Sequence, residues 1–150
     1  MIERYQEVIR VAFAVVFISG SLVHFVLGRV LPESYAAFGD SALFGCLHNL
    51  WGSFVMPNIG WLTIVLGLYE FAVGVSMSRK STVIIAAWGA VIFLVFITIL
   101  GYGFPATSFG EDLLKNRVPT IVMTALSVPL LVKGHKDVAN RSNTPTKVPR

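Results

Sequence analysis

The chain has 150 residues, of which 55% are hydrophobic and only 13% charged. A water-soluble domain needs charge on roughly a quarter of its residues, so an ordinary soluble enzyme or binding module is excluded and lipid becomes the natural solvent. The net charge of +4 comes largely from the end of the chain, where Lys133, Lys136, Arg141, Lys147 and Arg150 face one acid, Asp137. A short basic tail after an apolar run fixes topology or touches anionic lipid, so no nucleic-acid partner is expected.

The first apolar segment runs from about Ile9 to Val30, bounded by Arg10 and Arg29 and ended by Pro32 and Glu33. About 20 residues are needed to cross ~30 Å of hydrocarbon, and this segment suffices. The residues before it mix acids with bases, and no small-residue cleavage site follows, so it reads as a retained helix rather than a signal peptide. Tyr35 to Asp40 reads as a polar connection. Ser41 to Met56 carries His48, Asn49 and several glycines and serines. It is short and polar for a span, and an interfacial or re-entrant helix is expected, with Trp51 and Trp61 at headgroup depth. The lone Cys46 cannot form an intrachain disulfide and reads as a small packing residue.

The second span is expected over about 61–77, stopping at Ser78-Arg79-Lys80-Ser81, and the third over about 82–102, breaking at Gly101-Tyr-Gly-Phe-Pro105. The basic turn between them makes an antiparallel hairpin. The fourth has an apolar part of only about 15 residues, Val118 to Val132. Ser108 and Glu111 have the spacing of a capping box, and a start there gives a span of about 109–133, with Pro119 a candidate kink. Residues 1–134 thus form one transmembrane unit, and 135–150 a basic, disordered tail.

With the N-terminus inside, the cytoplasmic side holds Arg4, Arg10, Arg79, Lys80 and the five tail cations, against Arg29, Lys115 and Arg117 outside. That is nine against three. The expected fold is all-α, an integral membrane four-helix bundle with both termini cytoplasmic.

Ionisable groups at lipid depth carry a penalty of about 2.5–3.5 kcal/mol, so each calls for a reason. Glu70 lies mid-span, on one helical face with Gly67, Phe71 and Gly74; glycines there admit a neighbouring helix, and Glu70 should point into the bundle. It would pin helix packing, carry a proton, or anchor an ion or ligand. His24 shares a stripe with Phe13, Phe17, Gly20 and Gly28, about one turn outward of Glu70, and a contact between the two would form a buried acid–base pair. The alternative is a histidine bonded to a backbone carbonyl or serine. Arg117, beside Lys115, either reaches Glu70, binds an anionic headgroup, or snorkels to the interface. Trp88, Val91, Val95, Thr98 and Tyr102 share a face that would line a flat-ring pocket, such as one for a quinone, or would be core or lipid belt. The ligand or proton site therefore comprises Glu70, His24, Arg117, Trp88, Thr98 and Tyr102. His48 and His24 lack metal or haem spacing, and no metal site is expected. No phosphate loop or nucleophile elbow occurs.

Two stretches carry a family resemblance. Arg10-Val-Ala-Phe-Ala-Val-Val-Phe-Ile-Ser-Gly20 followed by His24-Phe25 resembles the arginine-led first helix of the DoxX-like group of small four-helix membrane proteins. Gly67-Leu-Tyr-Glu70-Phe-Ala-Val-Gly74 is similar to its second-helix glutamate flanked by glycines. The long connection from Leu31 to Gly60 and the fourth helix depart from the pattern. The resemblance implies a membrane partner of redox proteins, related to a thiosulfate:quinone oxidoreductase subunit, with Glu70 as the matched polar residue, in a bacterial or archaeal plasma membrane. The leading expectation is a membrane subunit binding a quinone-like or lipidic ligand or a redox partner protein, with a homo-oligomer compatible. The alternatives are a proton-coupled carrier or channel using Glu70, and a structural accessory subunit of a larger complex.

Overall fold

The structure, a computed structural model, describes the backbone of residues 2–142 and the side chains of residues 4–131. Among the described residues the regular structure is all helical, without strands. In chain order they form α1 (Ile2–Val30), a 3₁₀ turn (Pro32–Tyr35), α2 (Ala36–Asp40), α3 (Gly45–Leu50), α4 (Ile59–Ser78), α5 (Val83–Leu100), α6 (Phe109–Asp112) and α7 (Val118–Ser142).

Each long helix ends for a legible reason. α1 stops before Pro32, which bars the preceding residue from helical backbone; Leu31 is held at φ −143°. α4 ends where the Arg10 guanidinium donates to the carbonyls of Met77 and Ser78, two of the four acceptors a helix end leaves open. α5 ends on Gly101 at φ +87°, a left-handed position that suits glycine, and its N–H closes on Ile97 O at 2.7 Å. Ser108 caps α6 by accepting from the Glu111 N–H at 3.3 Å. The Glu111 carboxylate reaches back to the Thr107 N–H at 2.8 Å, one residue before the cap. A widened π-turn, Leu113–Arg117, then leads into α7. It lies just ahead of Pro119, which lacks the N–H a regular turn would use and whose ring needs room against the preceding turn. α7 runs on to Ser142, through Pro129 and past Gly134. The tail beyond Ser142 lies outside the described residues.

The stretch from Ser41 to Met56 does not form a separate interfacial or re-entrant helix. From Gly45 the backbone stays helical through a π-turn (Trp51–Val55) and a 3₁₀ turn (Met56–Asn58) directly into α4. The polar residues that made a separate element plausible are turned outward: His48, Asn49, Gly52 and Ser53 are exposed, and Ser53 and Asn58 bond back onto their own helix.

Among the described residues, three helical stretches are long and apolar enough to cross a membrane: Arg4–Val30, Gly45–Ser78 and Val83–Leu100. They mark the chain as a membrane protein. Their outward faces are apolar, including Val11, Val15, Leu22 and Val26 on α1 and Ile85, Trp88 and Ile92 on α5, as a lipid solvent allows.

α1 makes its longest contact with α4, and α5 with α7; α4 also meets α5, and α1 touches α7. α1 and α4 run antiparallel through small residues. A Cβ on Gly28 would strike Thr63, one on Gly67 would strike Phe25, and one on Gly74 would strike Ile18. Close approach of this kind is how helices pack where lipid supplies no hydrophobic drive. The apolar core, with Phe13, Phe17, Val73, Met77, Ala86 and Leu130 among its members, fills the end of the molecule nearest the chain termini.

Candidate functional site

Glu70 projects from the α4 face that also bears Gly67 and Gly74 and is only 4% exposed. Opposite it on α1 is Gly20, where a Cβ would stand 2.6 Å from Glu70 Oε2, so the absent side chain is what admits the carboxyl group. Oε2 is buried without a hydrogen-bond partner. Oε1 lies 3.6 Å from Nε2 of His24, one helical turn further along α1. The other ring nitrogen, Nδ1, is 2.7 Å from the Tyr35 hydroxyl. The structure therefore brings two of the sequence-derived residues together and adds a third.

Tyr35 arrives because Pro32 ends α1 and starts a tight turn that folds the chain back over the helix end. It is buried, and its carbonyl accepts from the Trp51 indole N–H at 2.7 Å. Phe38 lies between the two rings, 5.8 Å from Tyr35 and 6.2 Å from Trp51. Trp51 sits against Gly39, whose Cβ would be 2.7 Å from the indole Cδ1. Trp51 is thus a structural support for Tyr35. Burial, and then the charge of Glu70, raise the Tyr35 hydroxyl above its ordinary value. Tyr102, which follows the glycine ending α5, is raised in the same way, by burial first and then by Glu70. A hydroxyl, an imidazole and a carboxyl group in series can pass a proton, because the imidazole accepts on one nitrogen while releasing from the other.

Tyr35 was not singled out by sequence reasoning. Its signal was weak: a tyrosine three residues after a helix-ending proline, eleven residues from a histidine.

Arg117 goes elsewhere. It is 4% exposed, so it does not snorkel, and its guanidinium is engaged by groups other than Glu70. Its Nε donates to Asp112 Oδ2 at 2.9 Å, Nη1 to Thr98 O at 2.6 Å and Ile99 O at 3.3 Å, and Nη2 to Ser41 O at 2.7 Å. The guanidinium thus closes the open end of α5 and ties it to the first connection. Asn116 beside it holds both the N–H and the carbonyl of Phe104, each at 2.9 Å. This corner floors an open cleft of about 750 Å³ bordered by Asp40, Ser41, Phe104, Asp112 and Arg117.

The α5 face proposed for a flat ring is split. Trp88 is 55% exposed, because the buried side of α5 is Ala86, Ala90, Leu94 and Ile97, and Trp88 lies about 200° round the helix from Ala86. Thr98 instead bonds Thr120 on α7 at 2.7 Å and Leu94 O. His48 bonds Gly39 O at 3.1 Å.

No protein family, curated protein or solved structure matches this chain.

Proposed function

We propose that the chain is a four-helix transmembrane protein with cytoplasmic termini, set in a bacterial or archaeal plasma membrane. In this reading Glu70 exchanges a proton with a lipid-soluble, quinone-like ligand or with a redox partner that delivers one. The observation that carries it is the unpartnered Glu70 Oε2 at the end of the Tyr35–His24–Glu70 series. A buried carboxyl oxygen without a partner is disfavoured by about 1–3 kcal/mol, so its retention beside a relay points to a group that gains a partner when something binds. A quinone carbonyl is such a partner, since it needs a proton on reduction and returns one on oxidation. The DoxX-like resemblance at Gly67–Gly74 supports the redox setting.

The test is quinone-analogue binding to the purified protein with and without Glu70→Gln. Binding to the unaltered protein with a loss of about tenfold or more in the variant is expected. No binding, or indifference to the substitution, rejects the quinone version. A second reading, a proton-coupled carrier, draws on the open cleft above Arg117, which would admit a small polar solute. Solute flux in proteoliposomes that follows a pH gradient and stops in Glu70→Gln supports the carrier; flux without either property rejects it.

A further inference from the structure

We propose that Glu70 exchanges its proton with one side of the membrane only, the face carrying the Pro32–Asn58 connection, along the route Tyr35–His24–Glu70. This rests on the proton-exchange reading above and assigns it a direction.

Towards the connection, polar groups follow one another: Glu70, then His24, then the Tyr35 hydroxyl beneath the Tyr35–Phe38–Trp51 cover. Towards the termini the buried side chains that follow on α1, α4 and α5 are apolar. The polar groups at that end are Ser127 on α7 and Gln6 near the start of α1, whose amide donates to Pro129 O at 2.9 Å. From Glu70 to Ser78, where Arg10 closes α4, the distance is about 12 Å at 1.5 Å per residue. Phe13 and Phe17 of α1, Val73 and Met77 of α4, and Ala86 and Ala87 of α5 fill that length, all buried. Ser21 and Ser127 are bonded to their own helices, to Ile18 O and Thr124 O, and the Thr98 and Thr120 hydroxyls bond each other on the α5–α7 side. An apolar stretch packed in this way holds no water, and a proton leaving Glu70 along it has no acceptor beside it to step onto.

The titratable groups on the elements around Glu70 agree. α1 contributes His24 and, at the far end, Arg10, engaged with backbone carbonyls. The turn contributes Tyr35, and the loop after α5 contributes Tyr102. On α4, the Tyr69 hydroxyl is half-exposed and donates to Gly89 O. The α7 side contributes Arg117, paired with Asp112.

The step balances without a co-reactant. Tyr35, only 5% exposed, gives its hydroxyl proton to His24 Nδ1 and takes one from water at the connection face when the Phe38–Trp51 cover opens. His24 releases its Nε2 proton to Glu70 Oε1. The present gap of 3.6 Å is too long for a hydrogen bond, so the carboxyl must swing in by about half an ångström. Deprotonation retraces the same steps and restores the starting tautomer, so a one-sided route resets itself.

The experiment uses the full chain in proteoliposomes, sorted by labelling the exposed Cys46 with a membrane-impermeant maleimide. The Glu70 carboxyl band is identified by its disappearance from the infrared spectrum in Glu70→Gln. A pH jump on the Cys46 side alone should shift the band, and a jump on the other side alone should leave it. Tyr35→Phe, which keeps the ring and its packing, should slow the response about a hundredfold. A response to the termini side, or an unchanged rate in Tyr35→Phe, overturns the route. A band that answers neither side overturns the proton-exchange reading itself, and the route with it.

Discussion

The interior glycines of α1 do two different jobs, and substitution separates them. At Gly20 the atom in the way of a Cβ is the end of the Glu70 side chain, 2.6 Å off, so Gly20→Ala displaces the carboxyl and leaves the helices in place. Thermal unfolding in detergent should change by less than about 1 kcal/mol, while the Glu70 carboxyl band moves. At Gly28 a Cβ would meet Thr63 Cβ at 2.5 Å, an atom fixed to its backbone. Gly28→Ala must push α1 off α4, with a destabilisation of about 1–3 kcal/mol, read as a fall in melting temperature. Glu111 offers a pH test outside the apolar part of its helix. Its hydrogen bond to Lys115, and then those from Thr107, hold its carboxyl down to about 2 from an ordinary 4.5. The group binds its proton less readily when folded, so its contribution is complete above about 4.5 and is lost as pH falls towards about 2. In acid titrations of the Thr107 amide resonance, Glu111→Gln should remove the transition in that window.

At the scale of the element, two arginines solve the same problem. A helix ends with open carbonyls, and in a low-dielectric setting each open carbonyl is disfavoured. Arg10 closes α4, and Arg117 closes α5 while also holding Ser41 O. The planar guanidinium reaches acceptors in several directions at once, which an ammonium does not. Arg117→Lys should therefore destabilise nearly as much as Arg117→Met. Both should lower stability by about 3–5 kcal/mol, since Asp112 also loses the guanidinium and keeps only the Asn116 amide as donor. A melting temperature close to the unaltered protein's in Arg117→Lys would show that charge alone suffices.

Across the whole molecule, what the sequence announced was periodicity and what it concealed was tertiary. The three long apolar segments, and the faces that bear His24 and Glu70, follow from helical spacing within single elements. That the two residues meet is tertiary, and the sequence left it open beside a histidine bonded to a backbone carbonyl or serine. The merger of Gly45–Met56 into α4 was hidden because its exposed face is polar enough to mimic a connection. Tyr35 enters the site only because the Pro32 turn folds back and Trp51, sixteen residues on, holds its carbonyl. Arg117 finds its acceptors only because Gly101 and Gly103, both at positive φ, turn the chain towards Ser41 and Ala37. No local pattern around Lys115–Arg117 reports those contacts. The proposed topology has its own check: in intact cells, an impermeant maleimide should label Cys46 while a tag after Arg150 stays shielded. Labelling of both or shielding of Cys46 would reverse or break the orientation.

The acceptors that satisfy Arg117 carry a consequence for synthesis. They are backbone oxygens of Thr98, Ile99 and Ser41, all upstream in the chain, and they adopt their places only once α5 has formed and its end has turned. On the four-helix reading proposed above, a nascent α7 entering lipid before then would bring a guanidinium with nowhere to bind. The last two long helices should therefore leave the translocation machinery as a pair, α7 waiting at its exit until α5 can receive it.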